Sequence, residues 1–138
     1  MTARRRAYIS PGGRDWMTNC HPEPNALADI LNDLILRIQK IQALGPLYGA
    51  DPGQPIRKLE GFDNLWETRV RHASGWYRQF FRFVSIAGES SAVFIDGTKK
   101  SRRQLPRHVL QAADRRLDLY VESLTEDPSI RDLHRLRD

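Results

Sequence analysis

Nine basic side chains crowd residues 65–107: Arg69, Arg71, Arg78, Arg82, Lys99, Lys100, Arg102, Arg103 and Arg107. Three acids stand among them, Glu67, Glu89 and Asp96, so the segment carries +6 in a chain whose total is +5. Trp66, Trp76, Tyr77, Phe80, Phe81 and Phe83 are interleaved with the cations. A guanidinium grips phosphate oxygens through two parallel hydrogen bonds and keeps its charge. An aromatic ring offers a face on which an unpaired base stacks. Cations and rings in one segment therefore complement an unpaired polyanion, RNA above all.

The elements that must position these groups read as strands. Leu65 to Arg71 alternates, with Trp66, Thr68 and Val70 on one face and Glu67, Arg69 and Arg71 on the other. His72 to Gly75 makes a turn, with glycine supplying the unusual backbone angle. Trp76 to Ile86 is a second strand, Ala87 to Ser90 a second turn, and Ser91 to Ile95 a third strand, apolar enough to be buried on both sides. Consecutive hairpins imply an antiparallel meander.

Helices flank the meander. Leu27, Ile30, Leu31, Leu34, Ile38 and Ile41 recur at helical steps, predicting an amphipathic helix over residues 25–44, capped by Asn25 and stopped by Gly45-Pro46. Residues 45–61 read as a meandering connection rich in Gly, Pro and Asp. Pro106 opens a second periodic stretch running to about Leu124, and Asp127-Pro128 breaks it. The division expected is an irregular arm at 1–24, a globular domain at 25–124 and a tail at 125–138, forming one short helix or a frayed end. Arg4, Arg5 and Arg6 in the arm read as a solvated tail or an anion-binding extension.

The chain of 138 residues supports one domain, with 40% hydrophobic residues. Its pI of about 9.8 suits an anionic partner. Cys20 is the only cysteine, which excludes an intramolecular disulfide and suits a reducing cytoplasm. Cys20 and His21 lack a partner pair at metal-binding spacing, so no metal and no cofactor are expected. No apolar run approaches the roughly 20 residues that span a bilayer, and the basic start lacks the apolar stretch of a secretory signal.

Several short pieces, in order, carry a resemblance: Lys58-Leu59-x-Gly61, Leu65-Trp66-Glu67-x-Arg69, Tyr77-Arg78, Lys99-Lys100, Pro106, and Ala112-x-x-Arg115. Together they resemble the RelE/HigB superfamily of toxins, nearest its phage-derived HigB-like branch, over about residues 26–124. The resemblance implies a cytoplasmic endoribonuclease that cuts mRNA in the ribosomal A site and is held by a helix-turn-helix antitoxin. The implied fold is α+β: a small twisted antiparallel sheet of three to four strands, with N-terminal and C-terminal helices packed on one face. The order of elements read from periodicity agrees with it.

Metal-free RNA cleavage makes the ribose 2′-hydroxyl attack its own 3′-phosphate. The site must take up that proton, stabilise charge on the phosphorus centre and protonate the departing 5′-oxygen. The resemblance assigns Arg78 to transition-state stabilisation, Arg69 to phosphate binding with help in proton transfer, and Lys99 to the basic position after the third strand. His72 is the histidine of the basic segment and a candidate proton carrier, set against a reading as a solvated turn residue. Arg71, Arg82, Lys100, Arg102 and Arg103 are expected to bind RNA, with Trp76 or Tyr77 as the stacking residue. The family's C-terminal catalytic Tyr or His has no clear counterpart: Tyr120 falls on the apolar periodicity of the last helix, and His134 lies in the tail. Two rival functions remain: a ParE-like gyrase inhibitor without catalysis, and a basic protein that binds nucleic acid without cutting it.

Overall fold

The computed structural model describes residues 4–73, 75–100 and 105–137. Five strands form one mixed sheet: β1 (Arg6–Ile9), β2 (Ile56–Lys58), β3 (Trp66–His72), β4 (Gly75–Ile86) and β5 (Glu89–Lys100). Their spatial order is β1-β5-β4-β3-β2. The helices are α1 (Pro11–Asn19), α2 (Pro24–Leu44), α3 (Arg107–Glu126) and α4 (Pro128–His134), with a 3-10 turn over Gly45–Ala50. Among the described residues no helix is long and apolar enough to cross a membrane.

The expected antiparallel meander is present as β3-β4-β5, and the fold class is α+β. Three details differ from expectation. The sheet has five strands, because β2 adds antiparallel to β3 and β1 adds parallel to β5. Helices cover both faces, not one. The cause lies in β4 and β5, where Phe80 and Phe81, and likewise Val93 and Phe94, are neighbours that point to opposite sides. A sheet apolar on both faces needs a layer on each. On one side Ile30, Leu34, Ile38 and Ile41 of α2 and Met17 of α1 pack against Val70, Tyr77, Phe81 and Phe94. On the other, Ala113, Leu117 and Leu124 of α3 pack against Leu65, Phe80, Val93 and Ile95.

The third difference is the N-terminal segment, expected to be irregular, which forms β1 and α1. Pro11 sits at the first helical position, where its missing N–H costs nothing. Ser10 caps the helix by accepting from Gly13 N at 3.0 Å. Gly13 is needed for contact: a Cβ there would lie 2.8 Å from Ile9 Cγ1 and 3.0 Å from the Ile95 carbonyl. Beyond α4, Leu136 N donates to Ala7 O at 2.8 Å, tying the tail to the outer edge of β1.

α2 begins one residue before the expected start, and its cap is Glu23 instead of Asn25. The Glu23 carboxylate accepts from Asn25 N at 3.0 Å and Ala26 N at 2.6 Å. These bonds hold its pKa below the usual carboxylate range. The β4–β5 connection tightens to Ala87-Gly88, with φ of 50° and 82°. Both angles are positive, as in the hairpin turn whose twist matches the strands.

Candidate RNA-binding cleft

Alternation along β3 places Glu67, Arg69 and Arg71 on the α3 side of the sheet, as the sequence predicts. Cross-strand pairing sets Arg78 beside Arg69 and Trp76 beside Arg71. Directly paired residues share a face. β2 contributes a residue the sequence reading missed: Arg57 pairs with Glu67. Four guanidiniums and one carboxylate thus meet on three adjacent strands.

Glu67 is the hub. Its side chain is 0% exposed, and a carboxyl group so buried needs partners. Arg57 Nε donates to Glu67 Oε1 at 2.8 Å, and Arg78 Nη1 lies 3.4 Å from both carboxylate oxygens. The carboxylate also offsets the repulsion between the paired Arg69 and Arg78. Arg69 Nη2 donates to the carbonyls of Gln54 at 3.1 Å and Gly53 at 3.4 Å. Burial lowers the pKa of Arg69, and Arg57, Arg78 and Arg37 push it the same way against the opposing pull of Glu67.

A cleft of about 710 Å3 opens above this hub. Arg78 and Glu67 form its floor, Arg57 and Lys58 one wall, and Arg107 with Phe62 another. The Arg107 guanidinium lies 5.3 Å from the Phe62 ring centroid. Arg107 is the first residue of α3, a helix whose N-cap, Pro106, offers no capping side chain. Among the described residues its first two N–H groups have no partner, and the positive end of its dipole lies beside the cleft. Outside the cleft along the same face, Trp76 is flanked by the guanidiniums of Arg69 at 5.2 Å and Arg71 at 5.7 Å from the ring centroid. The half-buried indole and exposed Arg71 continue the cationic track toward the end of the hairpin.

The other expected site residues are not all here. Tyr77 is 0% exposed and belongs to the core under α2, so it is no stacking platform. Arg82 is committed to α3: its guanidinium reaches Asp118 at 2.7 Å and Asp114 at 2.8 Å, and Nε donates to Asn64 O at 2.9 Å. It clamps a helix to the sheet, which removes it from the expected RNA-binding set. Lys99 and His72 lie on the opposite face. Lys99 Nζ is 5.8 Å from the Tyr77 ring centroid, and the His72 ring is 5.6 Å from that of His21. His72 follows Arg71 on β3, so alternation turns it to that side; for Lys99 the cause is a bulge. Gln79 pairs with Gly97 but Phe81 with Phe94, so β5 carries one extra residue and its later side chains change sides. Arg102, Arg103 and the Lys100 side chain lie outside the described residues.

The missed members are Arg57, Lys58, Glu67 and Arg107. Lys58 and Glu67 already stood in the pieces that carried the resemblance, and Arg107 in the basic count; β2 pairing brings Arg57 to Glu67, and Arg107 arrives at the start of α3. Tyr120 and His134 do meet, with Tyr120 Oη 3.0 Å from His134 Nδ1. Burial pushes the phenol pKa up and the imidazole pKa down. They join α3 to α4 and do not line the cleft.

A model of the family described as phage-derived protein Gp49-like (DUF891) matches residues 27–118. No curated protein and no solved structure matches the chain.

Proposed function

We propose, from the premise that this chain belongs to the phage-derived Gp49-like family, that it is the toxin of a type II toxin–antitoxin pair. Its activity on this reading is metal-independent cleavage of mRNA on the ribosome, and its site is the cleft over Glu67. The observation that carries the reading is the convergence of Arg57, Lys58, Arg78 and Arg107 on one cleft with a carboxylate beneath. The earlier resemblance to RelE/HigB toxins supplies the reaction and the ribosomal setting.

The 2′-oxygen attacks the adjacent phosphorus while the bond to the 5′-oxygen breaks. The products are a 2′,3′-cyclic phosphate and a 5′-hydroxyl. One proton leaves the 2′-hydroxyl and one reaches the departing oxygen, so the reaction is balanced without an added reagent. Arg78, at 5% exposure, is reached only by a group that enters the cleft. There it and Arg57 face the non-bridging oxygens, where charge grows in the transition state. Glu67 holds both guanidiniums in place before substrate arrives, which removes reorganisation from the reaction step. Arg107 and the start of α3 receive a neighbouring phosphate. Trp76, between Arg69 and Arg71, takes a base of the unpaired strand. Lys58 and Glu60 are the exposed proton-carrying groups at the rim.

Induced expression should halt growth with loss of polysomal mRNA and no DNA-damage response. Arg107→Ala, at an exposed position, should relieve the arrest and leave the melting curve unchanged. Arrest with intact mRNA and a DNA-damage response would instead favour inhibition of gyrase.

A further inference from the structure

A second cavity, of about 420 Å3, lies between α1, α2 and the C-terminal segment. It sits on the α2 side of the sheet, away from the cleft. Its floor is apolar: Ile9, Met17 and Ile38 are buried, and Ile35 stays 40% exposed. An isoleucine left so open on an ordered helix flanks the groove without being covered by it. Three arginines stand on the rim, Arg4, Arg14 and Arg137, and no Asp or Glu lines the groove. Arg4 donates to Gln42 Oε1 at 3.2 Å, while Arg14 and Arg137 form no ion pair among the described residues.

An apolar trough with a cationic rim selects an occupant with apolar residues on one face and carboxylates beside them. An amphipathic helix supplies that pattern, with anchors at three- and four-residue steps and acids alongside. A volume of about 420 Å3 takes two or three large side chains, not a folded domain. We infer that this groove docks an acidic amphipathic helix of the protein's antitoxin partner. The inference rests on the toxin reading above for the partner's identity, and on the groove alone for the place and chemistry of contact. Because the groove lies on the face opposite the cleft, this contact anchors the partner without touching Arg78.

The test uses the full chain and the product of the reading frame adjoining its gene, mixed as purified proteins. Three variants are compared: Ile35→Glu, the double variant Arg14→Glu/Arg137→Glu, and Leu119→Glu on α3, whose side chain is 60% exposed on the other side of the molecule. The first two should each weaken the complex by about tenfold or more, while Leu119→Glu leaves it unchanged. Both groove variants should retain the mRNA cleavage of the unaltered chain, which also reports that they fold. A complex that forms with unaltered affinity in all variants overturns the groove and leaves the toxin reading standing. No complex with the unaltered chain removes the partner and the groove together. A homodimer broken by Ile35→Glu makes the occupant a second copy, which overturns the inference.

Discussion

Replacing Arg78 by Gln strips one of two guanidiniums from a carboxylate that has no access to water. Removing one partner of a buried ion pair costs about 3–5 kcal/mol. Arg57 stays on Glu67 at 2.8 Å, so the low end applies and the loss should be about 3 kcal/mol. A typical domain holds about 5–15 kcal/mol, so the variant remains folded at room temperature. For a chain of this length the melting temperature should fall by roughly 9–15 °C. Glu67→Gln should cost a similar amount, since it leaves Arg78 buried at 5% exposure without its carboxylate. The double variant Glu67→Gln/Arg78→Gln removes both charges and leaves two amides side by side. Its cost should fall short of the summed single costs by about 1–3 kcal/mol. Urea unfolding followed by tryptophan fluorescence and far-UV circular dichroism measures all four corners. Additivity to within about 0.5 kcal/mol would refute the hub, because the two side chains would then not be sensing each other. All three variants should lose mRNA cleavage, including any that keeps most of its stability.

Trp76→Ala should weaken binding of single-stranded RNA by about 1–3 kcal/mol with little change in unfolding, whereas Tyr77→Ala should cost about 3–5 kcal/mol of stability. Fluorescence anisotropy with a short labelled RNA, paired with a melt, separates the two neighbours. Glu23 has a pKa below the usual carboxylate range when folded, so its contribution is present above that range and lost as pH falls through the lowered value. Glu23→Gln should therefore flatten the acid side of the stability profile, seen in urea midpoints measured from neutral to acid pH. Ala87 holds φ at 50°, which costs a residue with a Cβ about 1 kcal/mol. Ala87→Asn should raise stability by about 0.5–1 kcal/mol in the same unfolding assay.

What could be read in advance depended on how local its cause was. The α2 helix rests on the spacing of Ile30, Leu34, Ile38 and Ile41, and those residues do form its buried stripe. The β3-β4-β5 order follows from alternation and turns, which are also local. β1 and α1 fall in the segment expected to be an irregular arm, where Pro11-Gly12-Gly13 suits a break as readily as a start. Ser10 and Pro11 were a legible start signal, but the reason for Gly13 is a contact with Ile95, distant in sequence. At the site, Arg69 and Arg78 were legible because period-two spacing and a short hairpin determine their side. Lys99 was not, since one extra residue in β5 moves it to the other face, and a bulge is a property of pairing. Gly97 accompanies the bulge: a Cβ there would lie 1.9 Å from Arg78 O, so only glycine lets the strands approach. Arg82 looked like part of the cationic face until Asp114 and Asp118, one helical turn apart, docked onto it.

The central claim is that the scissile phosphodiester lies in the cleft over Glu67, on the α3 side of the sheet. The direct measurement is mRNA cleavage in a purified translation reaction, with Arg107→Glu compared against Lys99→Glu. The first reverses charge at the cleft wall, and the second reverses charge on the opposite face. Arg107→Glu should abolish the new 5′-hydroxyl ends, and Lys99→Glu should leave them at the level of the unaltered chain. Cleavage that survives Arg107→Glu and disappears with Lys99→Glu would contradict the claim.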